Sequence, residues 1–235
     1  MKSIIGINPS CENSAMRTPS YDTPLADQLE EDILFGRLRP RERLVEDELM
    51  ERKRATRHAV RQALVELELR HLVARVPNKG AQVRDFSRDD IDQICRMRDW
   101  LHDKAAHSIP MPADPAWIER LKVLQRVHDT AVQSAEPIAV HRSNSAFHAE
   151  LFSACGNRYL AQSIHEHAQL SLAYRCHLMT RNDLAAKARD EHWQMIEAIT
   201  LGDNQRLSLL CVAHTKAAQQ VYASIQGWSD DADRP

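Results

Sequence analysis

The stretch RKRATRHAVRQALVELELR, residues 52–70, combines a dense run of cationic side chains with an apolar helical pattern. Thr56 is a suitable N-cap, and a helix is predicted from Thr56 to Arg70. The apolar residues follow the i, i+3, i+4, i+7 spacing of a buried stripe, namely Val60, Ala63, Leu64 and Leu67. Arg57 and Arg61 lie one turn apart on the other side. The stretch therefore predicts a helix that packs by one face and presents cations on the other.

The flanking residues predict two further helices and a β-hairpin. A first helix should begin at Pro24 and end near Gly36, and a second should begin at Glu46, with RLRPRERL as the connector between them. After the basic helix, LVARVPNKGAQV reads as two short strands around a basic tip at residues 77–80. Three helices and a hairpin are typical of a winged helix-turn-helix, whose third helix enters the DNA major groove. A three-helix packing module without DNA remains the alternative.

Composition and charge support two parts with different tasks. The 235 residues contain only six glycines and four each of Phe, Tyr and Trp, which favours a mainly α fold. Residues 52–84 carry nine Lys or Arg against two Glu, whereas residues 85–235 carry sixteen basic and twenty acidic residues. The basic segment is suited to binding a polyanion, whereas the mildly acidic remainder is not.

Cysteine usage and hydropathy predict a cytoplasmic protein with no membrane partner. The five cysteines are scattered, odd in number and lack CxxC spacing, which argues against disulfides and zinc ribbons. The apolar run at residues 4–7 is too short for a signal peptide, and no other run could span a bilayer.

From Ser87 onward the pattern is helical throughout. Ser87 and Asp90 form a predicted capping arrangement, and further helices are expected around 114–132, 136–154, 158–180, 184–201 and 204–226. Six helices of this length predict an all-α antiparallel bundle. The predicted boundaries are a flexible arm at 1–22, a winged helix-turn-helix at 23–84, a helical ligand-binding domain at 85–227 and a tail at 228–235.

Ten of the twelve histidines fall in the helical part. Three of them, His148, His192 and His214, lie beside apolar stripes, and Asn144 is one helical turn before His148. Imidazoles from three helices could hold a divalent transition metal and leave positions open for a ligand. Ordinary surface or hydrogen-bonded histidines are the alternative reading of the same spacing.

Residues 34–83, LFGRLRPRERLVEDELMERKRATRHAVRQALVELELRHLVARVPNKGAQV, resemble the DNA-binding domain of the GntR family of bacterial transcription regulators. The resemblance implies that four residues of the third helix face DNA, with two more at the wing tip: Thr56, Arg57, His58 and Arg61, then Lys79 and Gly80. The chain departs from the family pattern at the turn glycine, which is Arg54 here, and at the connector glycine, which is Arg41. Asp47 stands where many members have a DNA-contacting arginine. These departures bear on which operator is read.

The segments NSAFHAELFSACGNRYL (144–160) and DEHWQMIEAITLGD (190–203), with the late His214, are similar to the FCD ligand-binding domain of FadR-type GntR regulators. The resemblance implies a divalent metal, zinc with nickel or manganese as alternatives, and four ligands: Asn144, His148, His192 and His214. Asn144 replaces the family aspartate. Arg98 is the implied contact for an effector carboxylate, and a surface salt bridge with Asp99 is its alternative role.

The first hypothesis is therefore a ligand-responsive transcription regulator and not an enzyme. It would bind a pseudo-palindromic double-stranded operator as a homodimer, more often as a repressor, and respond to a small organic acid. A metal-dependent hydrolase or lyase is a second hypothesis, with Glu191 beside His192 as the nearest general base, although no HExxH motif is present. A regulator with a purely structural metal is the third.

Overall fold

The computed structural model describes residues 24–76, 80–172 and 181–225. The described chain is mainly helical with one small sheet. The helices are α1 (Leu25–Leu34), α2 (Glu46–Lys53), α3 (Arg57–Leu69), α4 (Arg88–Ser108), α5 (Pro115–Ser134), α6 (Pro137–Ser153), α7 (Arg158–Leu170), α8 (Asn182–Thr200) and α9 (Asn204–Ile225). The strands are β1 (Arg43–Leu44), β2 (Val73–Val76) and β3 (Gly80–Val83).

Helices α1 to α3 and the sheet form the predicted winged helix-turn-helix. The sheet is antiparallel with strand order β1-β3-β2, and Val73 pairs with Val83 while Arg43 pairs with Gln82. The hairpin of β2 and β3 was predicted, but β1 lies within the segment taken as a connector only. A strand of two residues is too short to show alternation, so nothing in its pattern marked it.

The core of this unit contains the stripe predicted from the basic helix. Val60, Ala63, Leu64 and Leu67 are all buried, and they pack in one cluster with residues of α1 and the sheet. Leu172, which follows α7 in the chain, is 1% exposed and belongs to the same cluster. A side chain from the helical part thus lies in the core of the DNA-binding part.

Two arginines hold left-handed backbone conformations in the DNA-binding part. Arg41 has φ 65° and Arg54, the C-cap of α2, has φ 51°. Both stand where the GntR pattern has glycine. Because a Cβ atom crowds the backbone in this region, each costs roughly 1 kcal/mol relative to an unstrained residue. The substitutions keep the turn geometry at the expense of stability.

Helices α4 to α9 pack around a second core, whose largest fully buried side chains include Phe147, Phe152 and Met195. The predicted capping box at Ser87 and Asp90 is present and begins α4. Helix α7 ends at Leu170, and residues 173–180 of the predicted helix lie outside the described residues, as do the arm at 1–22 and the tail at 228–235. Among the described residues, none of the helices combines the length and apolar character needed to cross a membrane.

Candidate functional site

Three of the predicted metal ligands come together between α6, α8 and α9. The Nε2 atom of His148 lies 3.1 Å from Nε2 of His214 and 3.2 Å from Nε2 of His192. The potential ligand atoms of the three histidines all lie within 4.8 Å of one another. The three ring nitrogens therefore point at a common volume, although their helices are far apart in the chain.

The spacing of these nitrogens suits a metal ion. Metal–nitrogen bonds of about 2.0–2.1 Å place neighbouring ligand nitrogens about 3.0–3.4 Å apart in octahedral or tetrahedral geometry. If Nε2 of His192 and of His214 are both acceptors, a single proton on Nε2 of His148 satisfies only one of them. A cation at the common volume would satisfy all three lone pairs.

The hydrogen bonds of Nδ1 in His192 and His214 explain why the Nε2 atoms of these two rings carry lone pairs. Nδ1 of His192 donates to Oε1 of Gln125 at 2.9 Å, and Nδ1 of His214 donates to the Glu191 carboxylate at 2.6 Å. Gln125 is itself oriented, since its Nε2 donates to Asp129 at 2.8 Å. With Nδ1 protonated, each neutral ring leaves Nε2 as an acceptor, which is the arrangement of metal-binding histidines.

Burial changes the pKa values of several groups in and around this cluster. His192 is fully buried, and this burial, with the nearby His214 and His128, holds its pKa well below the usual value. Burial also lowers the pKa of His128 to about 4. For Glu191, burial favours the neutral acid, but the interactions with His214 and Lys187 together outweigh burial and lower the pKa of the carboxyl group. The cluster therefore combines a fully buried imidazole whose protonated form is disfavoured with an adjacent carboxylate whose ionised form is favoured.

Glu191 was considered in the sequence only as the nearest general-base candidate, because it stands beside His192. Its carboxylate instead reaches across to α9 and orients His214. No spacing in the sequence relates residue 191 to residue 214, so only the packing of α8 against α9 could show this contact.

Asn144 and Arg98 lie at two neighbouring cavities beside the cluster. A smaller cavity of about 80 Å³ is lined by both residues together with His128, His148 and His214. A larger cavity of about 180 Å³ lies between α4, α6 and α7 and shares with it Arg98, His141, Asn144 and His148. The shared wall places the amide of Asn144 and the guanidinium of Arg98 next to His148.

The guanidinium of Arg98 is buried, with the residue only 4% exposed. Among the described residues, its Nε and Nη1 atoms have no hydrogen-bond partner. The alternative of a surface salt bridge with Asp99 does not fit this burial, and among the described residues Asp99 instead accepts from Thr215 at 2.7 Å and lies 3.8 Å from Lys216. A buried cation with unpaired donors is costly unless an anion binds it.

The predicted DNA-contacting residues of α3 are all exposed. The Thr56 hydroxyl caps the helix by accepting from the Ala59 amide at 3.2 Å, and His58 follows on the first turn. Gly80 begins β3 with φ 78°, and Lys79 lies outside the described residues. The helix thus offers this set of side chains to a partner without further rearrangement of its backbone.

Two acidic residues of α2 hold the arginines of α3. Arg57 pairs with Asp47 at 2.6 Å, and Arg61 pairs with both oxygens of Glu46 at 2.9 and 3.0 Å. The sequence marked Asp47 only as a departure from the family. These ion pairs orient the two guanidinium groups in solvent.

An open groove of about 860 Å³ separates α3 from the sheet. Its lining includes Arg43 of β1, Arg61 of α3 and Arg75 of β2. Arg43 and Arg75 were missed as candidates, because a single arginine in a strand of four residues or fewer carries no periodic signal. The groove adds cations from the wing to those of the helix.

A winged helix-turn-helix with a cationic groove, followed by a helical domain with a buried polar site, defines a DNA-binding regulator with a second domain. Residues 23–83 match the bacterial regulatory proteins of the gntR family, and residues 93–217 match the FCD domain. The chain belongs to the GntR family, in its FadR-type branch with an FCD domain. It is a DNA-binding transcription regulator and not the metal-dependent hydrolase or lyase considered above.

Two similar relatives are named as regulators of the same kind. The uncharacterized HTH-type transcriptional regulator YdhC of Bacillus subtilis (strain 168) is 25% identical over 200 residues, covering 84% of this chain and 88% of the relative. The uncharacterized HTH-type transcriptional regulator BphR of Paraburkholderia xenovorans (strain LB400) is 25% identical over 202 residues, covering 83% and 82%. These relatives agree with the assignment to the family.

Solved structures show the same fold. The structure of E. coli McbR/YncC has a TM-score of 0.70 at 16% identity and covers 86% of this chain and 96% of its own. A GntR transcriptional regulator from Rhodococcus sp. RHA1 has a TM-score of 0.67 at 19% identity and covers 89% and 97%. Both likenesses extend over the two domains.

Proposed function

We propose that the protein is an effector-responsive regulator that senses a small carboxylate through a divalent metal ion in the helical domain. One observation carries this proposal: Nε2 of His148 lies 3.1–3.2 Å from Nε2 of the other two histidines, and Arg98, which lines the adjacent cavities with His148, is buried with donors that are unpaired among the described residues. A cation and an anion bound together would satisfy both groups.

The ligands of the metal would be His148, His192 and His214, with the amide oxygen of Asn144 as the fourth. The nitrogen-rich set suits zinc or nickel better than manganese, which prefers oxygen ligands. When bound, the ion would supply positive charge that attracts the effector carboxylate. Because Asn144 is neutral, the Glu191 carboxylate, hydrogen-bonded to His214, provides the adjacent negative charge that the family aspartate would supply.

Arg98 would bind the carboxylate from the other side. Its planar donors match the two oxygens of a carboxylate, and charge-assisted hydrogen bonds of this kind are stronger than neutral ones. The guanidinium lines both cavities next to His148. An acid bound there would contact the metal and the arginine together.

Contacts between the two domains provide a route from the cavities to DNA. Leu172 lines the larger cavity and also packs in the DNA-binding core. His141, which lines both cavities, lies 3.9 Å from Glu30 of α1. Glu30 also forms an ion pair with Arg70 at the end of α3. Burial lowers the pKa of Arg70, but its carboxylate partners outweigh burial and raise the pKa. An effector that moves these residues would bias the orientation of α3.

We further propose that the protein binds its operator as a homodimer and acts as a repressor. Trp100 is 67% exposed and Met97 lies near it on α4, so this face offers apolar surface that a second copy could cover. A dimer would place two α3 helices about one DNA turn apart on a pseudo-palindromic operator. Thr56, Arg57, His58, Arg61, Lys79 and Gly80 would then form the contacts of each half-site.

Fluorescence anisotropy with an operator fragment, selected by the protein from genomic DNA, tests the proposal. The zinc-loaded protein should bind with nanomolar affinity that falls steeply with salt. Some small carboxylates should weaken this binding, and removal of zinc by a chelator should abolish their effect.

Three results would contradict parts of the proposal. Failure to select any fragment at low salt would exclude operator binding by this chain. An effect of carboxylates that persists without metal would exclude sensing through the metal. Zinc that raises the melting temperature, with no carboxylate changing DNA affinity, would identify a purely structural metal.

A further inference from the structure

The larger cavity has a size and lining that restrict what can occupy it. Its volume is about 180 Å³, more than twice that of the smaller cavity next to the histidine cluster. For comparison, an engineered apolar cavity of about 150 Å³ binds benzene. The cavity is thus large enough for a body of about six carbon atoms, in addition to a group bound at the metal site.

Away from its wall with the smaller cavity, the larger cavity is lined by both apolar and polar side chains, the polar ones being His102, Ser145, His165 and Gln169. Phe152, Ile164 and Leu172 lie there, with the small side chains Ala161 and Ala168 of α7 leaving the space open. Arg98 stands at the shared wall. A molecule that spans the wall would therefore present a carboxylate to Arg98 and an apolar body to α7.

Gln169 lines the larger cavity and has a side-chain acceptor that lacks a hydrogen-bond donor in the described part of the chain. The Oε1 atom of Gln169 is buried and has no hydrogen-bond partner among the described residues. A buried acceptor without a partner is destabilising. A hydroxyl on the ligand body could donate to it, whereas a purely hydrocarbon body would leave it unsatisfied.

We propose that the effector is a monocarboxylic acid with an apolar body of about six carbons that carries a hydroxyl group, and that the larger cavity is the site of this body. The carboxylate binds Arg98 at the shared wall, and the hydroxyl faces Gln169. This inference rests on the proposed function, since it names the class of acid that the same site accepts.

Isothermal titration calorimetry of the zinc-loaded protein with a matched series of acids tests the size requirement. The probes are acetate, benzoate, 3- and 4-hydroxybenzoate, and benzamide as the uncharged control. Benzoate should bind at least about tenfold more tightly than acetate, because burial of its carbon atoms adds hydrophobic free energy. Benzamide should not bind measurably, because it has no charge for Arg98.

Two variants test whether the apolar body of the ligand binds in the larger cavity. Ala168→Leu fills the cavity, whereas Ala146→Leu makes the same change at an exposed position of α6 that does not line it. The first should weaken benzoate at least about tenfold and leave acetate unchanged, and the second should change neither. At least one hydroxybenzoate should bind about threefold more tightly than benzoate in the wild type and lose that advantage in Gln169→Leu.

Each outcome bears on one statement. Equal affinities for acetate and benzoate, or equal effects of the two leucine variants, would overturn the assignment of the body to the larger cavity while the proposed function stands. If neither hydroxybenzoate binds more tightly than benzoate, or if the tighter binding persists in Gln169→Leu, the claim that the ligand carries a hydroxyl group facing Gln169 would be overturned. If no acid binds with zinc present, the proposed function fails, and this inference fails with it.

Discussion

The arginines of the two domains differ in how their charge is compensated. Arg57 and Arg61 are 51% and 61% exposed in their side chains and pair with acidic residues of α2. Arg98 is 4% exposed, and two of its nitrogens lack partners. Exposed ion pairs contribute little free energy, so phosphates can replace them readily. A buried unpaired guanidinium is costly, so it marks a place where a small anion is expected.

The largest expected effect is at the histidine cluster, where the buried site depends on every member. We expect His192→Ala to lower zinc affinity more than about 100-fold, because even the loss of an outer hydrogen-bond partner of a metal ligand costs about 10–100-fold. Metal content of the purified protein by mass spectrometry, with circular dichroism to confirm folding, measures this. His107→Ala, at an exposed residue of α4, is the control and should keep its metal. Equal zinc in both folded variants would show that the cluster binds none.

The next largest effect tests whether the exposed arginines of α3 leave their carboxylate partners and bind DNA. Arg61→Ala should weaken operator binding by about 1–3 kcal/mol and relax its sequence preference. Arg206→Ala removes a carboxylate-paired arginine of the helical domain whose side chain is 40% exposed, and it should have less than about a twofold effect. Anisotropy at two salt concentrations measures both variants. A similar loss for Arg206→Ala would mean that overall charge, and not the α3 face, determines affinity.

A smaller effect tests the contact that joins the two regions. Leu172→Val should destabilise the protein by about 1 kcal/mol, and it should reduce the effector-induced change in DNA affinity about threefold. DNA affinity without effector should stay nearly constant. Leu170→Val, on α7 but outside both the cavity lining and the buried core, is the matched control. If the response to the effector is unchanged in Leu172→Val, the signal passes by another route.

The smallest effect concerns the strained turn of the DNA-binding part. Arg54→Gly should raise the free energy of unfolding by about 0.5–1 kcal/mol, because glycine adopts φ near 51° without a Cβ clash. Arg54→Ala removes the same charge but keeps the Cβ atom, so it should give no such gain. Denaturant unfolding measures both. An equal gain in the two variants would assign the effect to charge and not to backbone strain.

Much of the DNA-binding part could be predicted from the sequence because its contacts are local. The buried stripe of α3, the Thr56 cap and the two-stranded wing all follow from spacings within a few residues. Strand β1 was missed because it has two residues, and its partner Gln82 lies far along the chain. The pairing of Arg57 and Arg61 with α2 was missed because charge patterns do not show the angle between two helices.

In the helical domain the sequence indicated which histidines to consider, through their place beside apolar stripes and the family resemblance. It did not show that His148 Nε2 lies 3.1 Å from His214 Nε2. It also did not show that Gln125 orients the ring of His192 and that Glu191 orients the ring of His214. It also left the role of Arg98 open between a surface ion pair and an effector contact. The burial of Arg98 excludes the surface ion pair.

The sequence by itself therefore determined the fold class, the two parts of the chain and the candidate side chains, since helical periodicity, capping and turn residues act over short distances. Only the tertiary structure decided which side chains meet, which donors stay unpaired and how large the cavities are. These properties depend on the packing of helices that are distant in the chain. Their geometry is set by the fit of whole surfaces and not by any local spacing.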